Sequence, residues 1–115
     1  MNLDFLTDDL LIKKNSFDGP VVVTGAGGCI AAWVLTILHR SHIPCIAVDL
    51  SDNKNRLELL LGNETNKIDW KICDITNLEK LSKIITSHKP SAIIHLAGLQ
   101  VPFCAENPAL GARVN

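Results

Sequence analysis

Tyrosine does not occur in the chain, so it holds no phenol that could exchange a proton with a substrate. Nor is there an excess of charge of either sign: eleven Lys and Arg face twelve Asp and Glu, a formal net charge of -1. So close a balance provides neither the basic face that tracks a phosphate backbone nor the polybasic patch that holds an anionic membrane, and neither partner is expected. No apolar run approaches the ~20 residues of a spanning helix. The opening segment, Met1-Asn-Leu-Asp-Phe-Leu-Thr-Asp-Asp, is acidic and lacks the basic head of a secretory signal. Cys29, Cys45, Cys73 and Cys104 lie far apart with no C-x-x-C pair, which suggests neither a zinc site nor a disulfide framework. Reduced thiols in a soluble, cytoplasmic chain are the expectation.

What is present is a globular mixture, 47% hydrophobic and 20% charged, in 115 residues. That leaves room for one domain with a real core. Residues 1–19 read as a polar N-terminal extension, in which Leu6 and Leu10-Leu11-Ile12 make at most one short amphipathic turn before Asp18-Gly19-Pro20 ends it. From residue 20 onward, strand and helix patterns alternate. Val21-Val22-Val23-Thr24 is a β-branched run stopping at a glycine cluster, and Ile30, Val34 and Leu38 mark the face of a helix that runs to Arg40. Pro44 to Asp49 reads as a second buried strand, Leu57, Leu60 and Leu61 as one side of a short helix, and Lys67 to Cys73 as a third strand nearer a sheet edge. Thr76-Asn-Leu-Glu79 matches a capping box opening a helix to about His88, with Leu78, Leu81 and Ile85 inward. Ser91 to Leu96 reads as a fourth buried strand, Gln100 to Cys104 equally as an ordinary loop or as a segment shaping a substrate site, and Asn107-Pro108 as the start of another helix. Apolar strands alternating with helices imply an α/β fold, a parallel sheet covered on both faces.

Chemistry concentrates in Thr24-Gly25-Ala26-Gly27-Gly28-Cys29-Ile30-Ala31, between the first strand and the first helix. The first turn of a helix leaves N–H groups unpaired and its dipole favours an anion, while glycine lets backbone approach a pyrophosphate closely. The spacing G-x-G-x-x-G fails, because Ile30 stands at its last position; G-x-x-G-x-x-G/A succeeds with Gly25, Gly28 and Ala31. A glycine-rich turn that binds nothing is the bland alternative. Against it stands Asp49, which closes the second strand where an acidic group meets an adenosine ribose. A carboxylate there accepts from the ribose hydroxyls and repels a 2′-phosphate, which favours NAD over NADP.

These residues resemble the extended short-chain dehydrogenase/reductase family, the NAD-dependent epimerase/dehydratase group. Four features carry the resemblance in order: Thr24-Gly25-x-x-Gly28-x-x-Ala31, Asp49, Cys73-Asp74-Ile75, and His95-Leu96-Ala97-Gly98. It implies a Rossmann-type, doubly wound parallel sheet of about four strands in the order 3-2-1-4, with residues 20–115 as the NAD-binding domain. It also implies that Asp74 accepts from the adenine amino group, that Ile75 packs nearby, and that the backbone of Leu96, Ala97 and Gly98 lies along the cofactor. Asn107-Pro108 and Val114-Asn115 resemble the opening of the family's next helix. With the flanking positions, the candidate cofactor-binding set is Gly25, Gly28, Cys29, Ile30, Asp49, Leu50, Asp74, Ile75, Leu96, Ala97 and Gly98; no catalytic residue and no metal ligand is assigned.

The family's chemistry needs a Tyr-x-x-x-Lys pair with a Ser or Thr, and this sequence has no Tyr. The resemblance therefore implies an N-terminal half, inactive alone, of an enzyme acting on a sugar-nucleotide or related hydroxyl substrate when complete. A non-catalytic nucleotide-binding or interaction module is the alternative. His95 is expected to be a strand-end histidine satisfied by backbone, Cys29 a small packing residue, and Trp33 and Trp70 packing groups. Lys54 and Arg56 are within reach of a bound phosphate, but a solvated helix face is the expectation for them, and His39 and His42 carry no ligand role. Strand four, left as an apolar edge, is expected to promote self-association.

Overall fold

The computed structural model describes residues 2–115, so Met1 of the expected extension lies outside the described residues. Four strands form one sheet: β1 (Val21–Thr24), β2 (Cys45–Asp49), β3 (Asp69–Ile72) and β4 (Ala92–His95). Every pairing is parallel and the order is β3-β2-β1-β4, as expected. The Val-rich β1 and the Cys45–Val48 stretch of β2 are buried throughout, because both are central and helices lie on both faces.

Among the described residues five α-helices accompany the sheet: α1 (Cys29–Arg40), α2 (Asn55–Leu61), α3 (Leu78–His88), α4 (Val101–Glu106) and α5 (Pro108–Val114). Alternation along β1 divides the core in two. Val21 and Val23 join Leu35 and Leu38 of α1 and Leu57 and Leu61 of α2 on one face. Val22 joins Ile46, Val48, Cys73 and Ile84 of α3 on the other. The sheet is therefore doubly wound. The direction of winding reverses between β1 and β4, and a crevice opens at the C-terminal strand ends where such a reversal occurs.

Several local expectations change. Asn77, not Thr76, caps α3, its side chain accepting from the Lys80 N–H at 3.1 Å. The Thr76 hydroxyl is already committed to Asp74. Leu78, expected inward, is 75% exposed, and Ile84 occupies the core instead. The fourth strand is not buried: it is one of the sheet's two edge strands, and Ile93 is 54% exposed because α3 covers β1 and β2 but not β4. Gln100 to Cys104, read as loop, instead provides the cap and first residues of α4 (Val101–Glu106), with a proline in its first turn.

The N-terminal segment makes no amphipathic helix. It forms 3-10 turns at Asp4–Leu6, Asp8–Leu10 and Lys14–Ser16, and Leu10, Leu11 and Ile12 stay exposed. Arg40, at the end of α1, clasps it: the guanidinium donates to the Asp4 carbonyl at 2.6 Å, to the Thr7 hydroxyl and to the Asp8 carboxylate at 2.8 Å. Thr7 is buried beneath that clasp, and the Ile12 N–H donates to Ser41 Oγ at 3.0 Å. Among the described residues no helix is long and apolar enough to cross a membrane.

Candidate functional site

The glycine loop is shaped by a close approach. Gly25 follows β1 with φ at +68°, a region that side chains of L-residues avoid. A Cβ there would lie 2.7 Å from both the Ala97 nitrogen and the Leu96 carbonyl carbon, because the chain leaving β4 passes directly over the loop. Gly28 then caps α1 without a side chain, and the helix ladder begins with the Ala32 N–H donating to the Gly28 carbonyl at 3.1 Å. The N–H groups of Cys29, Ile30 and Ala31 precede that ladder and point from the first turn.

Asp49 lies at the mouth of this loop. Its Oδ2 accepts from the Gly27 N–H at 2.9 Å and its Oδ1 from the Leu50 N–H at 2.7 Å. Each carboxylate oxygen keeps a further lone pair, so the group is fixed in direction yet still able to accept. The turn is held rather than sealed. Ile30, at 67% exposure, and Leu50, at 69%, stand open beside it.

Asp74 follows β3. Its Oδ1 accepts from the Thr76 N–H at 2.9 Å and the Thr76 hydroxyl at 2.7 Å, which hold the carboxyl below the usual range. Cys73 beside it is buried, and burial pushes its thiol up against the pull of Lys80. After β4, Leu96 and Ala97 both donate their N–H groups to Thr24 Oγ1. Asn115 grips the same segment: Leu99 N–H donates to its Oδ1 at 2.7 Å, and its Nδ2 donates to the Leu99 carbonyl at 3.1 Å.

All eleven candidate positions, from Gly25 to Gly98, line a single cavity of about 690 Å³ at the C-terminal ends of the strands. The same wall includes Arg56, Leu110 and Val114, which the candidate cofactor-binding set did not include. Arg56, expected on a solvated face, donates to the Gly27 carbonyl at 3.1 Å, so one glycine is held between Asp49 and Arg56. Leu110 and Val114 are spaced i, i+4 on α5, a helical signal available in the sequence. Trp70 packs, as expected, and also reaches the site's margin: its Nε1–H donates to the Ser51 carbonyl at 2.9 Å while the Lys54 ammonium lies 5.5 Å from its ring. This anchors the connection that follows Asp49. His95 departs from expectation, for its partner is the Thr24 hydroxyl at 2.6 Å rather than backbone. Cys29 is exposed rather than packed.

A second cavity of about 670 Å³ lies at the other end of α1, lined by Leu3, Asp4, His39, Arg40, His42 and Glu64 among others. Its charges are mutually engaged. Glu64 lies 2.8 Å from Lys67 and 3.5 Å from His39, and Arg40 is taken up by the N-terminal clasp. Among the described residues no group of three His, Cys, Asp or Glu side chains could hold a metal ion.

Comparison with known proteins gives a consistent picture. Residues 21–115 match the model of the NAD dependent epimerase/dehydratase family. A UDP-glucose 4-epimerase of Klebsiella pneumoniae is 34% identical over 85 residues, 70% of this chain and 59% of that protein. The bifunctional protein GAL10 of Kluyveromyces lactis is 33% identical over 90 residues, 74% of this chain but 13% of its own length. Among solved structures, the UDP-glucose 4-epimerase of Thermotoga maritima with UDP-glucose superposes with a TM-score of 0.69 at 27% identity, over 83% of this chain and 29% of that one. The Thermus thermophilus UDP-glucose 4-epimerase in complex with NAD shares the fold, with a TM-score of 0.68 at 21% identity over 83% of this chain and 29% of that one. The chain thus spans only part of each relative.

Proposed function

The chain belongs to the NAD dependent epimerase/dehydratase family, and from that premise we propose that its crevice holds the ADP half of NAD. The observation carrying this reading is the Asp49 carboxylate, 2.9 Å from the Gly27 N–H at the mouth of a glycine-started helix. The residues present fit the group. Diphosphate meets the N–H groups at the start of α1, with Gly25, Gly28, Cys29 and Ile30 supplying backbone rather than bulk. Asp49 accepts from the adenosine ribose, Leu50 and Ile75 flank the base, Asp74 accepts from its amino group, and the Leu96–Ala97–Gly98 turn runs alongside. A 2′-phosphate would meet the Asp49 charge, so NAD is favoured over NADP. When bound, the nicotinamide accepts and returns hydride.

In the complete enzyme the hydroxyl substrate is a sugar nucleotide or a close relative, a reading supported by the epimerases that the chain resembles. With no Tyr among its 115 residues the chain supplies binding rather than proton transfer, and alone it is inactive. Residues 20–115 act as the dinucleotide-binding unit and residues 1–19 as an extension. The outer β4 strand, with Ile93 half exposed, promotes self-association; a concentrated monomer in light scattering would refute that.

Thermal unfolding with added ligand tests the central reading. A ligand at a hundred times its Kd stabilises by about 2.7 kcal/mol, roughly 10 °C or more for a domain of this size. NAD and ADP-ribose are expected to raise Tm by that order, NADP by much less, and Asp49→Ala is expected to remove most of the gain. A well-folded chain showing no shift with either ligand refutes the proposal.

A further inference from the structure

One buried hydroxyl joins two strands to the turn that closes the crevice. Thr24 ends β1 and His95 ends β4, and the two are register partners, so their side chains share a face of the sheet. Thr24 is 3% exposed. Its Oγ1 receives the Leu96 N–H at 3.0 Å, which is shared with the Thr24 carbonyl at 3.3 Å, and the Ala97 N–H at 3.2 Å, and it lies 2.6 Å from His95 Nδ1. A hydroxyl has two acceptor lone pairs and one proton. Both lone pairs face backbone donors, so the proton points at Nδ1, which must be a bare nitrogen. Valence therefore assigns His95 as the neutral tautomer carrying its proton on Nε2. The opposite arrangement aims three donors at one oxygen and gives the hydroxyl proton no acceptor among the described residues, with Thr24 itself buried beneath an exposed His95.

This arrangement reaches the cavity directly. Leu96 and Ala97 line it, and the Ala97 nitrogen lies 2.7 Å from where a Cβ on Gly25 would stand. The glycine loop limits the turn on one side and the Thr24 oxygen restrains it on the other. A second proton on the imidazole puts an N–H where an acceptor is needed. The hydroxyl oxygen must then release a backbone donor; Leu96 keeps the Thr24 carbonyl at 3.3 Å, so the restraint that is lost is the one on Ala97.

We propose that His95 positions the Leu96–Gly98 turn through the Thr24 hydroxyl, so that the crevice takes a dinucleotide only while the imidazole is uncharged. The inference rests on the dinucleotide reading and adds a pH control to the same site. No ion pair involves His95 among the described residues. β1 presents Thr24 to it, and the same row continues with Val48 of β2 and Lys71 of β3. Farther along β3, Asp69 is engaged by Lys71 and His88. The β3–α3 connection brings Asp74, held by Thr76 and attracted by Arg113 of α5. From α3 come Lys80 and Glu79, the latter paired with Lys83. A direct titration of any of these would appear with His95 replaced, which gives the test its control.

The test is calorimetric titration of NAD and ADP-ribose into the full chain between about pH 5 and 8, with circular dichroism to verify folding at each pH. The wild type is expected to lose affinity on the acid side by up to about tenfold per pH unit. His95→Asn offers an untitratable carbonyl oxygen where Nδ1 stood, and is expected to bind within about threefold of the wild type at neutral pH with a flat profile. Thr24→Ser should keep the acid limb, while Thr24→Val should bind at least about tenfold more weakly at every pH. Should Thr24→Val fail to fold, the asparagine variant still decides. An acid limb unchanged in His95→Asn, or a flat wild-type profile with saturable binding, overturns the positioning role and leaves the dinucleotide reading intact. No binding of either ligand at any pH overturns both.

Discussion

The two ends of α1 each open onto a cavity, and the two cavities are nearly equal, about 690 and 670 Å³. Their walls differ in what has already been spent. At the C-terminal end Arg40 is surrounded by oxygens from the N-terminal segment, Glu64 lies between Lys67 and His39, and the Ile12 N–H has found Ser41. At the N-terminal end the helix opens on a glycine with no capping side chain, and Asp49 keeps accepting capacity on both oxygens. Size therefore does not separate the crevice proposed to bind from the cavity at the other end of α1. Unspent hydrogen-bonding capacity with a fixed direction does.

The most damaging way to break that contrast is to fill the open end from within. Gly25→Ala sets a Cβ against the backbone of Leu96 and Ala97 at 2.7 Å, in a left-handed conformation. The conformation alone costs about 1–2 kcal/mol, and relief of the contact must move either the loop or the turn. Urea unfolding is expected to show a loss of at least about 2 kcal/mol, and the Tm gain from ADP-ribose should disappear. A variant of normal stability that still binds would mean that the approach of β4 to the loop is dispensable.

At the closed end the largest effect is a pH dependence. Cys45 opens β2 there, and burial, helped by the Asp69 charge, pushes its thiol from 9.0 up to about 11. The neutral thiol is the folded form, so this stability is complete below about pH 9 and is lost as pH rises to about 11. Two units correspond to about 2.7 kcal/mol. Urea midpoints measured from pH 8 to 11 should fall more steeply in the wild type than in Cys45→Ala, the difference isolating the thiol from the lysines. Parallel curves would show that the thiol ionises without opening the core.

Arg40→Ala sharpens the contrast more gently. It removes the donors facing the Asp4 carbonyl, the Thr7 hydroxyl and the Asp8 carboxylate, but most of these acceptors can turn to water. A loss of about 1–2 kcal/mol is expected, the buried Thr7 carrying most of it, with dinucleotide affinity unchanged within about twofold. A larger drop in affinity than in stability would mean that the two ends communicate along α1.

What the sequence disclosed follows the range of the interactions. The sheet order and the winding were legible because strand and helix periods are local and resemblance supplied the order. The glycine loop and Asp49 were legible because a short stretch and one fixed spacing define them. Arg56 is exposed on α2 as expected, but its contact with the Gly27 carbonyl was not legible, because it depends on a side chain reaching back 29 residues. The Thr24–His95 contact joins residues 71 apart, and in isolation a threonine ending a strand signals nothing. Thr76 and Asn77 are both good caps, and the choice turned on the prior claim of Asp74 on the Thr76 hydroxyl. The clasp on Arg40 was illegible for the same reason: its partners lie 32 to 36 residues upstream, in turns with no periodicity.

Asp74 gives the smallest effect and the opposite sign of pH dependence. Its carboxyl is held below the usual 3.8, first by the Thr76 hydroxyl and then by the Thr76 N–H, with a weaker pull from Arg113. A depressed carboxyl contributes stability above its unfolded pKa and loses it as pH falls through the lower folded value, so the window opens only below about pH 4. The group is exposed, and water competes for every one of these interactions, so the acid limb is expected to be shallow. Asp74→Asn should flatten it further while lowering affinity for ADP-ribose at neutral pH, because an amide accepts less strongly than a carboxylate. If instead the asparagine variant bound ADP-ribose as well as the wild type, the β3–α3 connection would be structural, and the open end would reduce to the glycine loop, Asp49 and the turn after β4.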